Sequence, residues 1–587
     1  MNTPFEEEVT EVDFCVVGGG LSGMLAAIAA ARHGAKVALM QDRPVLGGNA
    51  SSEIRMWVGG AHGRDMRETG IIEELMLDNH FYNPGRNPSV WDSILYGAVR
   101  YQPGVKLILN CSCNKAEMDG RRIVSVTGWQ TTTQKWQTVK ARLFADCSGD
   151  SVLAPLSGAD WRMGREARAE FGEDIEPEAA DNHTMGLSCL VQARETTEPQ
   201  PFVPPPWANK YETDADITRV FKNFRAGGNW WWLELGGMQN ALADTEEIRD
   251  ELLKVVFGLW DHYKNKGDHG AANWKLDWVG FLPGKRETRR YLGDRIMTQN
   301  DIRAEGRFDD VVAYGGWSMD DHNPKGFGTR EPPTIFHPAP SPYGISYRSL
   351  YSRNVENLFC AGRNISVSHA ALSSTRVMAT CAIIGQAVGT AASIAVREQT
   401  TPRSVAEKYV RELQQTLLDD DCYIPWLRRD IPALSKAARL SASDGDPSAL
   451  LNGTDRPVGD AVNGAEIPLG GWVEYAFAKP EKVGEARIVF DSDLNRTGEH
   501  GHHYNLMHEF AFEIKPLAMP ATLVRAFSIY VRNDSAEGGW RKVAHVDDNR
   551  RRMVKVAVGA ETMAVRLVPE SLWGEGGACR MFAFDVR

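Results

Sequence analysis

The chain has 587 residues, 43% of them hydrophobic, with 66 Lys and Arg against 77 Asp and Glu for a formal net charge of -11. That length exceeds what one core supports, so two or three domains are expected, and an acidic balance with no long basic run excludes nucleic acid and anionic membrane as partners. Met1 to Thr10 carry neither a basic leader nor an apolar core, no uninterrupted apolar segment approaches the ~20 residues of a membrane span, and nine scattered cysteines form no C-x-x-C pair, which together point to a cytoplasmic setting.

The first element is a buried strand, Phe14-Cys15-Val16-Val17, running into Gly18-Gly19-Gly20-Leu21-Ser22-Gly23 and then the alanine-rich stretch Met24 to Ala31. Strand, glycine turn and helix in this order suit a dinucleotide: Gly18 permits the tight turn, Gly20 lets backbone approach a pyrophosphate, and Gly23 lets helix pack on strand. The helix N-terminus then faces the phosphates with unpaired N–H groups. A second strand, Lys36 to Met40, ends where an acidic residue usually receives the adenosine ribose; Gln41 stands there, with Asp42 next, and its amide oxygen still accepts a hydrogen bond without charge assistance. Arg43 and the small-residue loop Gly47-Gly48-Asn49-Ala50-Ser51-Ser52 follow.

Strands are expected at Val105 to Leu109, Arg122 to Trp129 and Thr138 to Phe144, closed by the loop Ala145 to Asp150. Cys111 and Cys113 share a strand face and read as core thiols. The Pro-, Glu- and Thr-rich stretch Asp174 to Tyr211 marks a different region. Asp244-Thr245-Glu246-Glu247 has the spacing of a capping box before a helix that carries Ile248, Leu252, Val255, Val256, Leu259, Trp260 and Tyr263 on one face. Trp230, Trp231, Trp232, Trp260, Trp274, Trp278 and Trp317 crowd the middle third; such residues fill a core or line a sugar pocket.

From Leu358 the chain runs Cys360-Ala361-Gly362-Arg363-Asn364, Ser366 to Arg376, and a small-residue helix in which Gly385 and Gly389 share one face for close packing. Ser404-Val405-Ala406-Glu407 reads as a second capping box, opening a helix through Leu418. Beyond about Ser435, short strand-like segments between polar turns, from Glu466 to Val586, indicate a β-sandwich.

Taken together, Gly47 to Glu53, Asp146 to Asp150, Pro283 to Arg290 and Ala361 to Arg376 resemble the FAD-dependent oxidoreductases with the glutathione-reductase-like, two-dinucleotide-binding fold, over roughly Asp13 to Leu418. The segments around Trp472 to Tyr475 and Ile488 to Leu494 resemble discoidin-type, galactose-binding-like sandwiches. The resemblance implies an α/β fold: a Rossmann-like FAD-binding domain in two parts (1–160 and 343–435), an inserted α+β cap (161–342) and a C-terminal all-β sandwich (436–587). FAD would be held by Gly18, Gly20, Leu21, Ser22, Gly23, Gln41, Asp42, Arg43, Gly47, Gly48, Ser51, Asp150, Gly362, Arg363, Ser374 and Arg376. A helix beginning near Ser373 to Arg376 would aim its positive end at the flavin pyrimidine.

Flavin chemistry needs a group that removes a hydroxyl or amine proton, and histidine is the usual base. His322 and His369, with His62 next, are the candidates, because each lies in a small-residue loop expected at the domain interface. Trp317, Arg286 and Tyr343 are the expected substrate contacts. No His, Cys or Asp cluster has ligand spacing, so no metal is expected. The reading is oxidation of a secondary hydroxyl of a carbohydrate or glycoside, with an external electron acceptor still to be named. Its alternatives are redox-assisted glycoside cleavage and a carbohydrate-binding protein on a flavin-fold scaffold without catalysis.

Overall fold

The computed structural model describes residues 5–219, 229–496, 509–510, 512, 514–533 and 539–587. The chain forms two compact units: the first comprises Met1–Ala61, Arg86–Leu413 and Glu499–Pro516, the second His62–Gly85, Gln414–Gly498 and Leu517–Arg587.

In the first unit, strands β1 (Glu7–Val17), β2 (Val37–Met40), β3 (Val105–Ile108), β4 (Cys111–Asp119), β5 (Arg122–Gln130) and β6 (Lys135–Asp146) form a sheet in the order β3-β2-β1-β6-β5-β4. β1, β2, β3 and β6 run parallel, whereas β4, β5 and β6 form an antiparallel meander. β1 lies along the whole of β6, so β5 and the strand Leu358–Cys360 divide the other edge of β6 between them. Phe14 to Val17 are buried throughout, as a central parallel strand must be when both its faces are covered.

The register aligns the last residues of the parallel strands. Val17 pairs with Met40 and with Asp146, and Asp146 pairs with Cys360. The glycine turn, Gln41-Asp42, Ser148 to Asp150 and Ala361 to Arg363 therefore all leave the sheet at its carboxyl edge, where open α/β sheets bind ligands. Helix α1 (Leu21–Arg32) follows the turn, and the helix Met378–Arg397 crosses it closely: a Cβ at Gly385 would lie 2.0 Å from Ser22 O, and one at Gly389 would lie 2.1 Å from Ala26 O. This second helix has 20 residues and a mean hydropathy of 1.6, enough for a membrane span, yet 94% of its apolar window is buried, which makes it a core helix. Its length does not stand out in the sequence as an apolar run because Gln386, Thr390 and Ser393 interrupt it.

Much of the region expected as a cap is built on the helix Thr245–Asn265. Its buried face carries Leu252, Val256, Leu259, Trp260 and Tyr263, which pack with Trp230, Trp232 and Trp274. Those tryptophans are core residues, so most of the aromatic density does not line a sugar pocket. Both expected capping boxes are absent. Asp244 accepts from Asn240 N instead of capping the helix, while Ser404 is itself helical, in a turn capped by Thr401. All nine cysteines are buried free thiols.

The second unit is an all-antiparallel seven-stranded sheet around Ile467, Tyr475, Ile488, Phe527, Ile529, Leu567 and Phe584. Its two longest strands, Val473–Phe490 and Met553–Leu572, carry register shifts where each passes from one set of neighbours to another. The helix Ile71–Tyr82 contributes Leu77 to this core, and Glu73 pairs with Arg496 at 2.6 Å. That excursion of the chain was not visible in the sequence, which placed residues up to 160 in the first domain.

Candidate functional site

A cavity of about 400 Å³ opens at the carboxyl edge of the first unit's sheet, and every residue lining it belongs to that unit. At one end lies the glycine turn. Gly18 has φ +104°, and a Cβ there would meet Cys147 C at 2.5 Å; a Cβ on Gly23 would lie 1.8 Å from Gly18 O. Sterics thus demand glycine at both positions. Gly20 is different: its nearest neighbour for a Cβ is Gly48 Cα at 4.0 Å, so the two glycines leave a gap that backbone N–H groups border.

Gln41 does not wait for a ribose. It is buried, its Oε1 accepts from Gly19 N at 2.6 Å, and its Nε2 donates to Val45 O, so it clamps the turn. Asp42, exposed and lining the cavity, carries the carboxylate that a ribose diol can meet.

Further along the wall, Asp150 receives Lys285 Nζ and an Arg363 guanidinium N–H, each at 2.8 Å, and Thr288 Oγ1 at 3.1 Å. Burial alone would raise its proton affinity, but Arg363 and Lys285 overcome that and hold the carboxyl below its ordinary value. Asp146, one strand end away, is the structural acid of this loop. It accepts from Ser148 N, Leu153 N and Tyr291 Oη.

Trp57, Trp317, Arg286, Asp320, Arg376 and the start of the helix Met378–Arg397 also line the cavity. This helix, not one beginning at Ser373 to Arg376, brings a positive terminus to the cavity: the preceding helix, His369–Thr375, ends there with Arg376 as its C-cap. Cys381, in the first turn, also lines the wall, and burial pushes its thiol up to about 12.

Of the sequence-predicted cofactor residues, Gly18, Gly20, Leu21, Ser22, Gln41, Asp42, Arg43, Gly47, Gly48, Asp150, Gly362, Arg363 and Arg376 line the cavity, whereas Gly23, Ser51 and Ser374 do not. Trp317 and Arg286 line it; Tyr343 is buried behind, its hydroxyl 2.6 Å from Ser374 Oγ, which donates to Trp317 O.

None of the three histidines lines the cavity. His62 belongs to the second unit. His322 and His369 are buried, and carboxylates face both nitrogens of each ring: Glu234 and Asp320 for His322, Glu287 and Asp321 for His369. Burial disfavours their charge, yet these carboxylates raise the proton affinity of His322 and raise that of His369 well above the ordinary value. With both nitrogens turned to carboxylates, neither ring presents a nitrogen to the cavity, where a general base would have to act.

Sequence reasoning passed over Asp320 and Trp57. Asp320 and His322 stand two apart on the strand Met319–His322 and so share one face, with Asp320 Oδ2 3.2 Å from His322 Nε2. That period-two spacing was the signal available. His322 and Arg376 drive Asp320 far below the usual carboxylate range despite burial, so it faces the cavity ionised.

The model of one protein family, described as FAD dependent oxidoreductase, matches residues 13–417. The chain belongs to this family. FAD is its cofactor, and the glycine cradle fits that group, because a side chain at Gly20 or Gly48 would stand in the approach to the N–H groups of the turn. Among solved structures, a variant of E. coli quinol fumarate reductase FrdA is 12% identical, covering 70% of this chain and 75% of its own at a TM-score of 0.27. Chitosan-binding module 1 from the Paenibacillus sp. IK-5 chitosanase/glucanase is 13% identical, covering 26% of this chain and 97% of its own at 0.19. The family 32 carbohydrate-binding module from Streptococcus pneumoniae EndoD is 17% identical over the same shares, also at 0.19. At such scores these likenesses decide neither substrate nor ligand. Among curated proteins none matches the chain.

Proposed function

We propose that this FAD-dependent oxidoreductase oxidises a secondary hydroxyl of a carbohydrate or glycoside. The observation that carries the reading is the lining of the cavity, which includes two indoles, Trp57 and Trp317, one ionised carboxylate, Asp320, and two guanidinium groups, Arg286 and Arg376. Indole faces stack on the C–H faces of a sugar ring, and the charged groups take its hydroxyls. Bound FAD supplies the hydride acceptor.

The chain's own part is to orient the carbinol and manage its proton. Asp320, too weak a base to keep a proton, accepts a hydrogen bond from the reacting hydroxyl and orients it, and the proton passes to water as the C–H bond breaks. Arg376, whose guanidinium lies 3.3 Å from Asp320 Oδ2, and His322 hold that carboxylate in place. Glu234 in turn joins His322 Nδ1 to Arg286, at 3.1 Å, so the substrate wall is one buried ion network. An external acceptor then takes the electrons.

Anaerobic titration of the yellow protein with a panel of sugars and glycosides tests this. Bleaching of the flavin by members of the panel is expected, with Asp320→Asn reducing at least ~100-fold more slowly while retaining FAD. Release of aglycone with no net flavin reduction selects redox-assisted cleavage instead. A panel in which no sugar bleaches the flavin refutes the substrate class, and an Asp320→Asn variant that reduces at the parental rate refutes the role of Asp320.

A further inference from the structure

Away from the cavity, the helix Thr245–Asn265 carries His262 in its last turn, on its buried side. The chain then turns back, so that the ring of His269 lies 4.9 Å from that of His262 and edge-on to Tyr263 at 5.1 Å. Asp214 opens a short 3-10 turn, Asp214–Asp216, that Thr213 and Asp216 close with a capping box. One ligand atom from each of Asp214, His262 and His269 lies within 4.8 Å of the other two.

The hydrogen bonding decides which nitrogen of His262 is available. Nδ1 lies 2.9 Å from Tyr211 O, and a carbonyl only accepts, so Nδ1 carries the proton and Nε2 is left to bind. Nε2 points at Asp214 Oδ1, 2.8 Å away, and His269 Nε2 lies 3.7 Å from the same oxygen. An imidazole anchored through one N–H to a backbone carbonyl is the outer-sphere arrangement that orients metal-bound histidines. Ligands of a tetrahedral ion with bonds of about 2.0–2.1 Å stand about 3.3–3.4 Å apart, a separation that 2.8 and 3.7 Å bracket.

We propose that Asp214, His262 and His269 bind a divalent transition-metal ion of the zinc type, with water completing its coordination. Two imidazoles and one carboxylate select such an ion over Mg²⁺ or Ca²⁺, which prefer all-oxygen shells. His262 and His269 are buried and Asp214 is exposed, so the ion enters from the carboxylate side. Its role is to clasp. Tyr263, whose ring meets both His269 and Trp230, belongs to the Trp230, Trp232 and Trp260 cluster, so a metal here fastens three chain segments beside that core. Asp214 stands 48 residues ahead of His262, which is why no ligand spacing shows in the sequence.

Chelator-treated, FAD-loaded, full-length protein titrated with Zn²⁺ in a calorimeter, and with Co²⁺ by absorption, tests the site. One saturable equivalent is expected, with the visible band of four-coordinate Co²⁺ and a rise in melting temperature that Mg²⁺ and Ca²⁺ do not reproduce. His269→Gln and Asp214→Asn are each expected to weaken Zn²⁺ binding at least ~10-fold, with flavin content unchanged. No saturable Zn²⁺ binding, or binding of undiminished affinity in both variants, overturns the proposal and leaves His262 and Asp214 as an ordinary ion pair.

Discussion

Gly20→Ala separates what the glycine turn does for the fold from what it does for the cofactor. Gly20 caps helix α1 at φ -66° and ψ 174°, a conformation open to alanine, and the nearest atom to its Cβ is Gly48 Cα at 4.0 Å. In flavin-stripped protein the change therefore costs only the weaker N-cap, about 0.5–1 kcal/mol. The methyl group, however, enters the cradle where pyrophosphate meets backbone. Overpacking there costs about 1–3 kcal/mol, or ~5-fold to ~150-fold in the Kd for FAD. Gly23→Ala is the contrast, because its Cβ would lie 1.8 Å from Gly18 O whether or not FAD is bound. FAD titrated into stripped protein by fluorescence quenching, alongside melts of the same samples, reads both quantities. The expected result is near-parental stability with weakened FAD binding for Gly20→Ala, and lost stability for Gly23→Ala. A Gly20→Ala protein that binds FAD with parental affinity, or that melts as early as Gly23→Ala when stripped, refutes the reasoning.

Two buried acids make pH predictions. Glu176 is buried with neither carboxyl oxygen hydrogen-bonded, and desolvation first, then Glu166 and Glu173, raise it from 4.5 to about 7 against the pull of His369. The folded protein holds that proton more tightly, so about 3 kcal/mol of stability is present in full below pH 4.5 and lost as pH rises through 7. Glu176→Gln is expected to melt higher than the parent above pH 7 and equally near pH 4; equal melting at both ends defeats the assignment. Glu287 serves His369 at 2.9 Å and Arg290 at 3.1 Å, all three buried. Glu287→Gln leaves each cation one carboxylate, Glu166 for Arg290 and Asp321 for His369, and should cost about 1–3 kcal/mol in urea unfolding near neutral pH. His369 titrates in the opposite sense to a depressed acid: its stabilisation is complete below pH 6.5 and fades as pH climbs through its raised folded value, so the variant should also show a smaller alkaline decline than the parent, with Asp321 still facing the ring. A variant as stable as the parent argues against a charged His369.

What the sequence disclosed was set by local backbone physics. Gly18, Gly20 and Gly23 could be read because turn geometry and strand–helix clearance are properties of a few consecutive residues, and Arg122 to Trp129 and Thr138 to Phe144 because alternation marks a half-buried strand. The start of the last core helix was misjudged because nothing in Ser373 to Met378 breaks a helix. The break is tertiary: Arg376 reaches Asp320, while Ala379 N donates to Gly59 O at the start of the next helix. The surroundings of the histidines were hidden for a similar reason. A histidine in a small-residue loop reads as a base only while its neighbours are unknown, and Glu234 and Glu287 arrive from 88 and 82 residues away. The tryptophans divided by packing, with Trp230, Trp232, Trp260 and Trp274 filling a core and Trp57 and Trp317 reaching the cavity.

Whole-chain charge also concealed the site. The net charge of -11 argues against a polyanion on the outer surface, yet the cavity wall carries five cations, Arg43, Lys285, Arg286, Arg363 and Arg376, against three anions, Asp42, Asp150 and Asp320. That local excess suits a cofactor that carries two phosphates, and the N-terminus of the helix Met378–Arg397, whose first residues also line the cavity, adds its partial charge. The anions have local roles as well. Asp150 ties Lys285 to Arg363, Asp320 joins Arg376 to His322, and Asp42 stands exposed beside the glycine turn. Arg43 and Arg363 come from loops that leave one sheet edge, Lys285 and Arg286 from the segment before Arg290–Tyr291, and Arg376 from a helix end, so an acidic protein gathers a local excess of cations by tertiary placement that composition does not reveal.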